Sequence, residues 1–178
     1  MQAVRSLLEK SASCMKKRKI VYVIYAALTA AILLLARKHF FELKGSALDL
    51  VNTGFCTYSV RDQVLTWNLL FFDWVSVMLP RLDLAGIEPF LLTRHPSRKQ
   101  CALLRLKRSW PYLANLLVIH LIYWPGSWLA AGSLVLLFAA AAGMTLYQRR
   151  YLDGIKESVW VFAAFVLLRL LITLLFKI

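Results

Sequence analysis

A chain of 178 residues that is 60% hydrophobic and only 17% charged, with a mean hydropathy of +0.63, lies outside the ordinary soluble range of about 45–50% apolar. A formal charge of +13 would suggest nucleic acid as the partner of a soluble domain. Here the cations lie between long apolar runs and no nucleic-acid-binding signature accompanies them, so the expected partner of that charge is a membrane surface.

Residues 1–19 place Val4, Leu7, Leu8 and Met15 at near-helical spacing among Arg5, Lys10 and the run "KKRK", the pattern of an amphipathic helix on the inner leaflet. The uncharged stretch Ile20 to Ala36 is at the short end of what crosses a bilayer, and no small-x-small cleavage site follows it, so it reads as a retained first span, 20–36. Arg37 to Asp62 is too apolar for a free loop. It is expected to form a short helix on the outer surface, with breaks at Gly45 and at "NTG", Asn52 to Gly54.

The second span, 64–80, is interrupted by Asp73 and closed by Pro80. Between it and the next lies the most basic stretch of the chain, 81–109. Ser97 and Gln100 have the spacing of a capping box. Beyond them Ala102, Leu103, Leu106 and Trp110 form one stripe, and Arg98, Cys101, Arg105 and Arg108 another. That is a surface helix, which Pro111 is expected to break or redirect. It serves either as a lipid anchor or as a docking face for a partner.

Ser109 to Gln148 contains no Lys, Arg, Asp or Glu, about twice the length that one span needs. "YWPGSW", Tyr123 to Trp128, divides it into a hairpin of spans 110–124 and 128–147. Gly132 and Gly143 are about three turns apart, so they share a face of the second arm and would admit a closely packed neighbour. The last span, 158–176, carries Arg169. Lys and Arg distribute roughly sixteen to five between the two sides when the N-terminus is cytoplasmic, which fixes that orientation. The fold class is therefore an all-α integral membrane protein of about five transmembrane helices with amphipathic interfacial helices.

A charge near the bilayer centre costs about 2.5–3.5 kcal/mol, so polar groups inside spans need a reason. Counting the rise per residue from the cytoplasmic ends puts Asp73 about 10 Å deep and Arg169 about 16 Å deep, within reach of each other as an ion pair. Such a pair either holds the bundle together or lines a polar path. His120 reads as an interfacial residue bonded locally, and Asn115 as an interhelical hydrogen-bonding group. Cys14, Cys56 and Cys101 form no CxxC or Cys/His pairing and read as unpaired thiols. No catalytic constellation, metal site or cofactor is expected: GxxxxGK[ST], HExxH and GxSxG are all missing.

The segment "LLTRHPSRKQCALLRLKRSW" resembles one in the small membrane subunits of bacterial ABC-2-type transporters, with Leu91, Leu92, Arg94, Ser97, Arg98 and Lys107 as the matching positions. The resemblance implies a non-enzymatic permease subunit in the bacterial cytoplasmic (inner) membrane. Its partners would be a cytoplasmic ATP-binding subunit, a second permease chain or second copy, and membrane lipids. It implies movement of a peptide, lipid-like or drug-like substrate, with Arg94, Ser97, Arg98, Arg105 and Arg108 as the ATPase-docking face. The rival expectation is an accessory or immunity-type membrane protein that binds a partner and transports nothing.

Overall fold

The computed structural model describes residues 19–35, 45–55, 59–85, 98–122, 127–146 and 154–177. They form six helices: α1 (Lys19–Leu35), α2 (Gly45–Thr53), α3 (Val60–Ala85), α4 (Arg98–Leu121), α5 (Trp128–Leu146) and α6 (Gly154–Lys177). No strand occurs among the described residues. The expected helix over 1–18, and the expected docking residues Arg94 and Ser97, lie outside the described residues.

Local chemistry explains where several helices begin and end. Ser59 caps α3: its Oγ accepts from the Asp62 backbone N–H at 3.2 Å and donates to the Asp62 carboxylate at 2.6 Å. Ser127 caps α5 by accepting from the Ala130 N–H at 3.1 Å. Gly54 closes α2, its N–H donating to the Leu50 carbonyl at 2.9 Å. The breaks expected at Gly45 and at "NTG" therefore coincide with the two ends of α2.

The break expected at Pro111 is absent, since Pro111 lies inside α4; Pro80, the last residue of the expected second span, lies inside α3, which continues to Ala85. A proline removes one backbone donor and crowds the preceding turn. Here the turns on both sides of Pro111 pack on neighbours: Leu106 lies against the core, and Tyr112 and Leu113 are buried in it. The basic segment from Arg98 is thus the first half of one 24-residue helix, and not a separate surface helix.

Helix α3 is the centre of the bundle. It packs against α4, α5 and α6, and α4 packs against α5. On the other flank α1 reaches α3 and α4: the Tyr22 hydroxyl lies 3.1 Å from Ser76 Oγ and donates to the Tyr112 carbonyl at 3.2 Å. The rings of Tyr22, Tyr25, Phe72 and Tyr112 stack or tilt against one another along this seam. Helix α2 is not merely a surface element. It packs on α3, α5 and α6, and every side chain from Asp49 to Thr53 is buried.

Two helices, Trp128–Leu146 and Ile155–Leu175, are long and apolar enough to cross a membrane. The other expected spans differ in kind. Helix α1 is apolar but only 17 residues long; α3 contains Asp62, Asp73 and Arg81, and the first half of α4 is basic. Within α5, Ala130, Ser133, Leu134, Leu137, Ala141 and Thr145 make one buried stripe, while Val135 and Leu136 on the opposite side are exposed. Among the described residues Gly132 and Gly143 pack against no neighbouring helix, since a Cβ added at either meets nothing within 4 Å.

Candidate functional site

Charged and polar side chains are concentrated inside the bundle. Asp73 on α3, His120 on α4 and Arg169 on α6 are each 0% exposed, although each belongs to a residue type seldom fully buried or only intermediate in burial. Around them the surface is apolar, with Trp67 and Phe71 on α3, Val118 on α4 and Leu167, Leu170 and Leu171 on α6 all exposed.

The structure brings the expected pair together. Arg169 donates from Nη2 and Nε to the same Asp73 oxygen, Oδ2, at 2.6 and 3.2 Å. Its Nη1 donates to the Gly54 carbonyl at 3.2 Å, just past the end of α2. Charge-assisted bonds of this kind are about twice as strong as neutral ones and shorter. Thr173, one turn further along α6, fixes the approach. Its hydroxyl donates to the Arg169 carbonyl at 2.7 Å and accepts from the Phe55 N–H at 2.7 Å.

Two partners were not expected. His120 is not an interfacial side chain bonded locally: its Nε2 lies 2.7 Å from Asp73 Oδ1 and its Nδ1 lies 2.8 Å from Asn52 Oδ1. Its position at the end of α4 is where α2 folds over the bundle, which turns the ring inward. Asn52 also donates from Nδ2 to the His120 carbonyl at 3.0 Å, supplying a partner for one of the last carbonyls of α4. In sequence Asn52 is visible only as part of a break signal, so its role had no local mark. The resulting chain, Asn52–His120–Asp73–Arg169–Gly54, ties α2, α3, α4 and α6 together through polar contacts.

The opposite end of the bundle is basic. Arg81, at the end of α3, pairs with Glu157 in the first turn of α6. Trp74 Nε1 donates to the Ser158 carbonyl at 3.1 Å on the same seam. Of the expected docking residues, Arg98 lies in the first turn of α4, and Arg108 is exposed. Arg105 is turned toward α5, where its Nη1 approaches the Leu146 carbonyl at 3.4 Å. A cation at a helix C-terminus interacts favourably with the macrodipole. Among the remaining polar positions, Asn68 is met by the Tyr25 hydroxyl, at 3.3 Å from its carbonyl and 3.4 Å from its Oδ1.

No three His, Cys, Asp or Glu side chains are grouped to hold a metal ion among the described residues. No family model, curated protein or solved structure matches the chain. The fold and the site thus define a class: an all-helical protein with two helices of membrane-crossing length and an ion-paired polar centre.

Proposed function

We propose that this chain is a five-span, non-enzymatic membrane subunit of an ABC-2-like export assembly, with its N-terminus and basic end in the cytoplasm. The observation that carries the membrane reading is the inverted polarity. Asp73, His120 and Arg169 are fully buried, while large apolar side chains are exposed on α1, α3, α4, α5 and α6. Water offers no reason for such an arrangement, whereas a bilayer favours it, because every charge must find a protein partner and every outward face must be apolar. The spans are α1, the central part of α3, the second half of α4, α5 and α6.

The partner reading rests on the other end. Exposed Lys107 and Arg108 follow Arg105, which lies within electrostatic reach of Arg81, and the sequence has no nucleotide-binding loop of its own. Any ATP is therefore hydrolysed on a separate cytoplasmic subunit that meets α4 from below. Because α4 is continuous, a push on its basic half is carried directly to His120 at its other end. The bacterial inner membrane, a second permease chain or second copy, and a peptide, lipid-like or drug-like cargo belong to the same proposal. Purification in mild detergent tests it. The ATPase subunit co-purifies with the native chain and is lost with Arg98→Glu plus Arg108→Glu; its retention by that variant removes the docking face. Arg105 is left intact, since it already bonds within the chain.

One observation favours a second reading, an accessory or immunity-type protein that transports nothing. Asp73, His120 and Arg169 are fully buried and bonded to one another, to Asn52 and to the Gly54 carbonyl, and line no open path among the described residues. Export that persists without this chain, with the partner still bound to it, decides for that reading.

A further inference from the structure

His120 offers two ring nitrogens, and both face oxygen. Nδ1 is 2.8 Å from Asn52 Oδ1 and Nε2 is 2.7 Å from Asp73 Oδ1. The identity of the Asn52 atom is not arbitrary. Its other terminal atom lies 3.0 Å from the His120 carbonyl oxygen, which only accepts, so that atom is the amide nitrogen and the one facing Nδ1 is the oxygen. An amide oxygen only accepts, so Nδ1 must carry a proton. Between Nε2 and Asp73 Oδ1 a second proton is also required, because neither a bare ring nitrogen nor a bare carboxylate oxygen can donate. Whether that proton sits on nitrogen or on oxygen, the count is the same. His120 and Asp73 are neutral together, and Arg169 leaves the buried cluster with one net positive charge.

The geometry points to a proton-binding site at His120, formed between Asp73 and Asn52, whose occupancy holds α2 against the bundle. When the proton leaves, one N–H or O–H bond breaks, the electron pair stays on the ring or the carboxylate, and water takes the proton. A neutral imidazole then has one N–H for two acceptors. The charged acceptor, Asp73, makes the stronger bond and keeps it. Nδ1 is left with a lone pair facing Asn52 Oδ1, and the amide cannot rotate without setting its oxygen against the His120 carbonyl. The contact that gives way is the one to α2.

The surroundings leave His120 as the group that changes. From α3 it is faced by Asp73, and through Asp73 by Arg169 of α6. Helix α2 presents Asn52, with Asp49 engaged by the Ser127 hydroxyl at 2.9 Å. Helix α5 carries no ionisable side chain. From α1, Tyr22 and Tyr25 lie within electrostatic reach of Asp73. This inference goes beyond the export reading and does not require an ATPase partner, so the purified chain alone tests it.

The test uses the full chain in lipid nanodiscs, with His39→Gln and His95→Gln leaving His120 as the single histidine. Ring-nitrogen NMR follows its protons from pH 5 to 9, and amide hydrogen exchange follows Asp49 to Thr53, with α5 as the internal reference for the intrinsic pH effect. With the proton in place Nδ1 is protonated, and once the site empties it is bare. As it leaves, exchange in α2 rises about tenfold relative to α5, the scale of one charged hydrogen bond. In His120→Gln the relative exchange of α2 becomes independent of pH, whatever its level. Relative α2 exchange that stays constant while the ring loses its proton overturns the inference. So does an Nδ1 that is unprotonated at every pH while α2 remains protected.

Discussion

Replacing Asp73 by Asn isolates what its charge does, because the two side chains have nearly the same shape and leave no cavity. In the native bundle Oδ2 accepts two N–H groups from Arg169 and Oδ1 faces His120. An amide turned with its oxygen to Arg169 can donate from its nitrogen to Nε2 of a neutral His120, so the hydrogen bonds can be kept while the charge is lost. Arg169 then stays buried without a countercharge. Breaking a buried pair by removing one partner costs about 3–5 kcal/mol. For a chain of this size each kcal/mol is about 2–4 °C in Tm, so Asp73→Asn should melt about 6–20 °C lower. Loss of monodisperse protein on heating in mild detergent reads this out. Removing both charges in Asp73→Leu with Arg169→Met should recover more than half of the loss, since apolar replacement of a whole buried pair is close to neutral. A charge swap should recover little, because a guanidinium at position 73 would face His120 and a carboxylate at 169 would face the Gly54 carbonyl. If Asp73→Asn melts within about 2 °C of the native chain, the paired cluster is not what holds these helices, and the reasoning fails.

Three further outcomes follow from named contacts. Gly54→Ala should cost about 1–3 kcal/mol, because its Cβ would meet Thr173 Oγ1 at 2.9 Å and Leu50 Cδ2 at 3.1 Å, and the Thr173 hydroxyl is bonded on both sides. Gly132→Ala and Gly143→Ala should leave the Tm of the single chain unchanged, as each Cβ points into open space; a drop at either would show that the stripe is packed after all. Glu157→Gln should lower stability by about 1–3 kcal/mol by removing the countercharge of buried Arg81, an effect read in the same melting assay and absent in Lys107→Gln.

What the sequence could tell about the polar centre depended on how far each residue stands out from its neighbours. Asp73 and Arg169 are single charges within long apolar runs, and counting helical rise from the cytoplasmic ends of their spans brings them within reach of each other. His120 and Asn52 lack that contrast. One lies next to a turn and the other in a break signal, both places where polar residues are common. Their roles arise from α2 packing across α3, α5 and α6, a long-range contact that no local pattern encodes. The helix boundaries divide the same way. Ser59 and Ser127 mark real starts, whereas Pro111 looks like an end but is carried through by the packing of the turns beside it.

The central claim is that the bundle crosses a bilayer with its basic end inside the cell and the α2 end outside. Two exposed positions report on it directly: Lys107 at the basic end and Trp128 at the start of α5, beside Asp49 of α2. Each is changed to Cys in a chain with Cys14, Cys56 and Cys101 replaced, and intact cells are treated with a membrane-impermeant maleimide. Trp128→Cys should label on intact cells and Lys107→Cys only after lysis. Labelling of both positions from the same side, or of Lys107→Cys alone on intact cells, contradicts the account.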